Sequence, residues 1–323
     1  MELQKESTLS RAERAQAHGS AQLLIETLPW IKESTGKAVV VKYGGAAMTD
    51  EALRIDVMSD IVLLKLIGLN PIIVHGGGND ISDLCTRLGL PVEFKDGLRV
   101  TPPEVMDIVK MALIGKVNQE LVAQLNQHGH LAVGLSGADG HIVRARQLSP
   151  ELGLVGVVDK VDIALLVDLI EAHYIPVIAS VGVGVDGNFY NVNADIMAGE
   201  IAATIGAHKV IFLTDVDGLY KDFHDKSTLI GKMYLSDARA MLADDTLSKG
   251  MIPKIQACTQ ALSAGVARAH ILNGTLPHSL LLEIFTDEGV GTMILPDKED
   301  EVPDDFTEYP AGELASKLHS QEN

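Results

Sequence analysis

Residues 38–45, AVVVKYGG, and residues 71–78, PIIVHGGG, each run from a short apolar stretch straight into a cluster of glycines. Neither stretch alternates: Val39, Val40 and Val41, like Ile72, Ile73 and Val74, are apolar at consecutive positions. Such runs suit strands covered on both faces, as in a parallel sheet flanked by helices. Between them, ALRIDVMSDIVLLKLIG (residues 52–68) places Leu53, Val57, Ile61 and Leu64 on one helical face, with Gly68 at its end. Strand, helix and strand form a crossover unit. Both glycine turns then lie at the carboxyl ends of strands, the edge at which open α/β sheets bind ligands.

The same alternation continues along the chain. NDISDLCTRLG reads as a helix, and PVEFKDGLRV as a hairpin turning at Asp96-Gly97. Thr101-Pro102-Pro103-Glu104 has the pattern of a capping box opening a helix to about Gln127. LAVGLSG, HIVRARQL and LVGVVDKVD read as strands, IALLVDLIEAHY as a helix and IPVIASVGV as one buried strand. Helix DIMAGEIAATIG, strand KVIFLTDV, a helix through Met251–Leu262, and strands ARAHILNG and GTMIL complete the body. The expected fold is α/β, a three-layer sandwich with a mostly parallel central sheet that the extra hairpins make mixed.

A chain of 323 residues accommodates two domains or one large bilobed one. No apolar run reaches the ~18 residues needed to span a bilayer. The opening MELQKESTLSRAERAQAHGS carries no secretory pattern, and Cys85 and Cys258 lack metal-ligand spacing. These features point to a cytoplasmic protein with core thiols, without a membrane partner. The net charge is −18, of which the stretch from Asp297 to Asn323 supplies −7. An acidic balance argues against nucleic-acid binding. The expected organisation is a polar extension over 1–37 with an amphipathic helix at about 20–34, a body over 38–296, and a disordered acidic tail over 297–323.

A glycine turn lets backbone N–H groups and a helix N-terminus approach an anion. One such turn is more often only a tight connection, but two at the same sheet edge point to a site. There is no GxxxxGK[ST] motif. The GxGxxG match at Gly182, Gly184 and Gly187 runs into another extended piece, so it reads as a hairpin turn. Lys42 sits in an otherwise apolar strand, where burial demands a partner. Taken alone, Lys254 reads as a surface lysine and Asp195 as a favourable carboxylate at a helix start.

Taken together, VVVKYGG, VHGGG, DGLRVT, NVNAD, LTDVDGLY and KGMIPK, in this order, resemble the N-acetylglutamate kinases of the amino acid kinase superfamily. The resemblance spans about residues 20–296, and HGGGN followed by DGLRVT is its most specific part. It implies an acetylglutamate-binding and dimerisation lobe over 38–190 and an ATP-binding lobe over 191–296. It implies further that Lys42 and Lys254 contact the transferring phosphoryl group, with Asp195 holding both lysines. Gly44 and Gly45 would donate to phosphate oxygens, and Gly76 and Gly77 would cradle the substrate's γ-carboxylate. Arg99 would grip the α-carboxylate and Asn191 the amide or α-carboxylate. Thr214, Asp217 and Tyr220 would line the ATP pocket, with Mg2+ held by ATP and water rather than by protein ligands. The acceptor would be N-acetyl-L-glutamate and the phosphoryl donor ATP.

AQLLIETLPWIKE resembles the N-terminal helix of arginine-inhibited members, in which such helices interlace dimers into a hexamer, a trimer of dimers. Glu283-Ile284-Phe285-Thr286-Asp287-Glu288-Gly289 resembles their site for L-arginine. Glu283, the backbone near Gly289, and Trp30, which stands where tyrosine is common, would contact the effector. Two alternatives stay open. One is a related acyl-phosphate-forming kinase acting on an acetylated aminoadipate or a carrier-linked amino acid, and the other is a catalytically silent arginine-binding regulator.

Overall fold

The structure, a computed structural model, describes residues 25–297 except 49, 223, 245, 246, 248, 249, 287 and 288. The expected polar head, the first part of the helix at 20–34 and nearly all of the acidic tail lie outside the described residues. Helix α1 (Leu28–Ser34) leads into β1 (Ala38–Tyr43). Helix α2 (Glu51–Leu66) then carries the chain to β2 (Asn70–His75), which pairs parallel to β1 from Ala38↔Asn70 to Tyr43↔His75. Asp50 starts α2, its Oδ1 accepting from Ala52 N at 2.8 Å and Leu53 N at 3.2 Å. Val40, Ile72 and Val74 enter one core, whereas Val39, Val41 and Ile73 enter a second. Both faces of the sheet are therefore dry, which explains valine at consecutive positions.

Helix α3 (Gly78–Arg87) follows, then the ribbon β3 (Phe94–Lys95) and β4 (Leu98–Arg99). Its turn residues Asp96 and Gly97 have φ of 50° and 82°, the left-handed pair that Asp-Gly supplies in a hairpin. The long helix expected to follow is α4 (Pro103–Lys110), a π-helical segment over Met111–Asn118, and α5 (Gln119–Leu125). The expected capping box is absent. Pro102 occupies the cap position, and the buried Thr101 turns its Oγ1 to donate to Arg99 O at 2.8 Å. The cause is non-local: Thr101 N donates to Leu152 O and Thr101 O accepts from Leu154 N, at 2.9 and 2.6 Å.

The remaining elements are β5 (Ala132–Ser136), β6 (Val143–Gln147), β7 (Val155–Val161), α6 (Ala164–Glu171), β8 (Ile175–Ala179), β9 (Val181–Val183) and β10 (Phe189–Val192). They continue through α7 (Ala194–Ile205), β11 (Lys209–Thr214), β12 (Lys232–Tyr234), α8 (Leu235–Ala243), α9 (Ile252–Ser263), β13 (Arg268–Asn273), α10 (Ser279–Phe285) and β14 (Thr292–Leu295). Eight strands form the central sheet in the order β12-β14-β13-β11-β1-β2-β8-β5. Helices α7 and α9 cover one face, and α2, α5 and α10 cover the other, giving the expected three layers. Packing between α7 and α9 is close: a Cβ on Gly199 would lie 3.0 Å from the Ala257 Cβ.

Three local expectations need correction. IPVIASVGV is two strands, because the chain leaves the central sheet at Ser180 and continues as β9 in a small closed barrel, β10-β7-β6-β9. The hairpins likewise stay out of the central sheet, which is mixed because β14 runs antiparallel to β13. Finally, β12, α8 and α10 had not been read from the sequence. The Gly184–Gly187 stretch does form the expected hairpin turn, between β9 and β10. Within the central sheet β11 lies directly beside β1, and β13 beside β11. No described helix is long and apolar enough to cross a membrane.

Candidate active site

Asn193 caps α7, its Oδ1 accepting from Asp195 N at 2.8 Å and Ile196 N at 3.2 Å. That cap fixes Asp195 at the second helical position, buried, with its carboxylate turned toward β1 and α9. Lys42 Nζ lies 3.1 Å from Asp195 Oδ1, and Lys254 Nζ donates to Oδ2 at 3.1 Å. Lys254 also donates to Gly250 O at 3.2 Å. Burial pushes the Asp195 carboxyl up, but the ammonium groups of Lys42 and Lys254 outweigh it and hold the group below the usual carboxylate range. One carboxylate shared by two lysines leaves the cluster positive, which suits an anion. The Lys42 ammonium fits because residue 44 is glycine: a Cβ there would stand 2.9 Å from Nζ. Gly45, with φ of 72°, opens the short 3-10 turn Gly45–Met48.

Lys42 and Asp195 form one end of a cleft of about 400 Å3. Its walls include Gly76, Gly77, Arg99 and Asn191. Gly76 N already donates to Tyr43 O at 3.2 Å, whereas no described backbone group accepts from Gly77 N. Of the two glycines expected to cradle a carboxylate, Gly77 is therefore the one with an uncommitted N–H. Glycine at 77 lets Leu113 pack close, since a Cβ would meet Leu113 Cδ2 at 2.7 Å and oblige that side chain to shift. Arg99 Nη2 donates to Gly78 O at 2.9 Å and to Ser82 Oγ at 2.7 Å, and its guanidinium lies 4.7 Å from the Phe94 ring centre. Nη1 is buried with no partner. A guanidinium fixed on one side and unpaired on the other is suited to a carboxylate. Asn191 Nδ2 donates to Thr101 Oγ1 at 3.2 Å.

Thr214 is the last residue of β11, β1's neighbour, and Asp217 and Tyr220 follow beyond its carboxyl end. They do not line the cleft, and neither do Gly44, Gly45 and Lys254. Asp217 accepts from Asn273 Nδ2 at 2.8 Å and from Tyr220 Oη at 2.5 Å, which hold its carboxyl low. Burial, followed by the bond to Asp217, pushes the Tyr220 phenol up to about 12. The Thr214 carbonyl accepts from Gly274 N at 2.8 Å. Asp195 is the only acid among the described residues lining the cleft, and both lysines claim it. No group of three or more His, Cys, Asp or Glu among the described residues could hold a metal ion. A divalent ion fits here only with ligands brought by another molecule.

On the opposite face, α1 packs against α10 and brings Trp30's helix beside the helix carrying Glu283. Glu33 of α1 pairs with Arg268 Nη2 at 3.0 Å. Glu283 is enclosed: Oε1 lies 2.7 Å from His270 Nδ1, and Oε2 accepts from Val290 N and Gly291 N at 2.8 and 3.2 Å. Burial raises its carboxyl, but these three partners outweigh that and hold it low. Gly289, with φ of 62°, passes so close that a Cβ would stand 2.8 Å from Glu283 Oε2. Oε1 carries one partner and Oε2 two, so an effector reaching Glu283 would share the carboxylate with these groups or displace one of them.

Ser82, Phe94, Asn193 and Asn273 had not been read as site residues. Asn193 was discernible as an N-cap ahead of an apolar helix. Ser82, Phe94 and Asn273 become relevant only once the chain folds back on itself.

The amino acid kinase family model matches residues 37–273. The acetylglutamate kinase of Nostoc punctiforme is 51% identical over 275 residues, 85% of this chain and 92% of that protein. That of Caldanaerobacter subterraneus subsp. tengcongensis is 50% identical over 276 residues, 85% of this chain and 92% of that one. N-acetylglutamate synthase from Neisseria gonorrhoeae, solved with coenzyme A and N-acetyl-glutamate, matches 86% of this chain at 25% identity with a TM-score of 0.76. This chain spans 63% of that structure's chain. Carbamate kinase from Giardia lamblia bound to AMP-PNP has a TM-score of 0.61 at 16% identity, covering 82% of this chain and 100% of that one, a likeness of fold alone.

Proposed function

As the chain belongs to the amino acid kinase family, we propose that it transfers the γ-phosphoryl group of ATP to the γ-carboxylate of N-acetyl-L-glutamate, a step of arginine biosynthesis in the cytoplasm. The observation that carries this reading is the Asp195 carboxylate bridging Lys42 and Lys254 at the end of the cleft. The names of the relatives at about half identity supply the substrate.

The acceptor carboxylate is ionised at neutral pH, so the reaction needs no general base. The obstacle is repulsion between that carboxylate and the ATP phosphates, together with charge on the transferring group. Fixed positive groups and aimed N–H donors lower such a barrier. In this reading Lys42 sits between acceptor and phosphoryl group and Lys254 on the ATP side. Asp195 fixes the spacing of both. Gly44 and Gly45 offer N–H groups to phosphate oxygens, while Thr214, Asp217 and Tyr220 border the nucleotide. Arg99 Nη1 takes the α-carboxylate, Gly77 N–H the γ-carboxylate, with Gly76 alongside, and Asn191 the acetamido group. Mg2+ would accompany ATP, held by phosphate and water rather than by this chain, and would supply charge that offsets the phosphates.

The test is ADP release with ATP and acetylglutamate, compared with free glutamate, acetylaminoadipate, carbamate and UMP. Acetylglutamate should give the highest kcat/KM. One methylene is worth only ~1–3 kcal/mol of discrimination, so preference for acetylaminoadipate would transfer the assignment to that substrate. Nucleotide binding without ADP release from any acceptor would favour the silent regulator.

Regulation by L-arginine is part of the same reading. The packing of α1 on α10 and the closeness of Gly289 to Glu283 support it. The effector guanidinium would take the place of a Glu283 partner, with Trp30's helix as the second wall. Arginine should inhibit in the millimolar range or below, and a flat titration would end the idea. Removing residues 1–34 should turn a hexamer into dimers by light scattering.

A further inference from the structure

The buried histidine beneath the substrate cradle takes no part in the mechanism above. His75 is fully buried at the end of β2, directly before Gly76. Its Nε2 lies 3.0 Å from Asn118 Nδ2 and its Nδ1 lies 2.9 Å from Gly76 O. Asn118 Nδ2 also faces two backbone carbonyls, Val177 O at 2.8 Å and Leu135 O at 3.2 Å. Two carbonyl acceptors require the amide nitrogen, not the amide oxygen, at that point. The nitrogen has two hydrogens for three neighbours and cannot accept, so His75 Nε2 is the bare nitrogen and Leu135 O, at 3.2 Å, the most weakly served acceptor. The proton then resides on Nδ1 and is donated to Gly76 O. In a trans peptide the carbonyl and the next N–H point in opposite directions. Drawing Gly76 O onto the imidazole therefore turns Gly77 N–H away from it, toward the cleft that Gly77 lines.

The segment that carries Asn118 is the π-helical stretch Met111–Asn118. From the same stretch, Leu113 and Val117 press on Gly77, where a Cβ would meet their side chains at 2.7 and 3.2 Å. Gly134 leaves the room Asn118 needs, since a Cβ there would lie 2.1 Å from Oδ1. One irregular segment thus supports the Gly76–Gly77 peptide from below and sets the tautomer of the ring that orients it. Single π-type turns within helices recur at functional sites.

We infer that His75, held as its Nδ1–H tautomer by Asn118, is a positioning residue that aims Gly77 N–H at the acceptor carboxylate and so sets the affinity for that substrate. The inference rests on the acetylglutamate reading given above. Two substitutions separate positioning from mere filling of space, because asparagine mimics the Nδ1 side of imidazole and glutamine the Nε2 side. His75→Asn keeps a donor for Gly76 O and should hold the acetylglutamate KM within about three-fold of wild type. His75→Gln, closer to histidine in size, loses that donor and should raise this KM roughly ten-fold while the KM for ATP stays put. A purely structural role predicts the reverse order, and that order would overturn the inference. Should either variant misfold, 15N spectra of histidine-labelled wild-type protein decide instead. Nδ1–H at neutral pH supports the inference, and Nε2–H overturns it. Wild-type turnover of acetylglutamate is the control: if it is absent the functional reading has failed, whereas the tautomer result still judges the geometry.

Discussion

Asp195 and Glu283 are carboxylates buried on opposite faces of one sheet, and both stay ionised against the cost of burial, but by different means. Asp195 is held by ammonium groups from two separate elements, β1 and α9, and two positive charges outnumber its one. Glu283 is held by His270 and by two neighbouring backbone N–H groups, leaving no comparable excess. The first arrangement still has positive charge to offer a ligand and opens on a cleft. The second has its charge matched by neutral donors and does not line that cleft. A buried acid is therefore a sign of chemistry only where its partners remain under-compensated.

The strongest way to break this contrast is at the lysines. Lys42→Ala and Lys254→Ala should each lower kcat on the order of a thousand-fold, ~4 kcal/mol of barrier, with a much smaller rise in the acetylglutamate KM. Near-normal turnover in both would remove the assignment. At the other pole, Glu283→Ala leaves His270 and two N–H groups without their acceptor. It should cost about 3 kcal/mol of stability by urea unfolding, together with any arginine response.

Acid should act on both faces. Burial pushes His75 down to about 4, and burial followed by nearby Lys37, Lys209 and Arg268 pushes His208 down to about 3. The unfolded chain binds these protons near pH 6.5 and the folded one does not, so stability falls as pH drops below about 6.5. Each ring should cost roughly 3 kcal/mol by pH 4, about 6 kcal/mol together, and the loss should continue below pH 4 as the Asp195 and Glu283 carboxyls take up protons. Stability that stays flat across that window would mean the rings are hydrated. Arg99→Ala removes the guanidinium facing the cleft and should raise the acetylglutamate KM about 10–30-fold, roughly 2 kcal/mol, with kcat less affected. Gly77→Ala needs only that Leu113 and Val117 yield, and should weaken the same KM by under ten-fold.

The sequence revealed the layers and the ligand edge because those depend on local patterns. Consecutive valines and isoleucines require cover on both faces, and Gly-Gly after a strand marks a turn. Asp96-Gly97 was legible for the same reason, its turn being decided by two residues. What escaped depends on partners distant in the chain. Thr101 had the right neighbours for a cap, yet a bridge to Gly153 redirected it. Nothing in IPVIASVGV marks Ser180 as the point where one strand becomes two. MALIGKVN satisfies an ordinary helical period, so its π register was invisible, and with it the place of Asn118 under His75. That Lys42, Asp195 and Lys254 meet came from the family resemblance, since each residue alone had a plainer explanation.

Cys85 and Cys258, both unpaired and fully buried, give the molecule a pair of internal clocks. Cys258 lies one turn beyond Lys254, in the core under α9, and burial pushes its thiol up, out of the range in which thiolate forms. Cys85 sits in a different core, between α3 and α4. Neither sulfur can exchange with an aromatic disulfide reagent until its own core parts. Labelling rates under native conditions would therefore time two separate openings, one beneath Lys254 and one behind the cleft. Saturating each substrate in turn should slow the clock on its own side first.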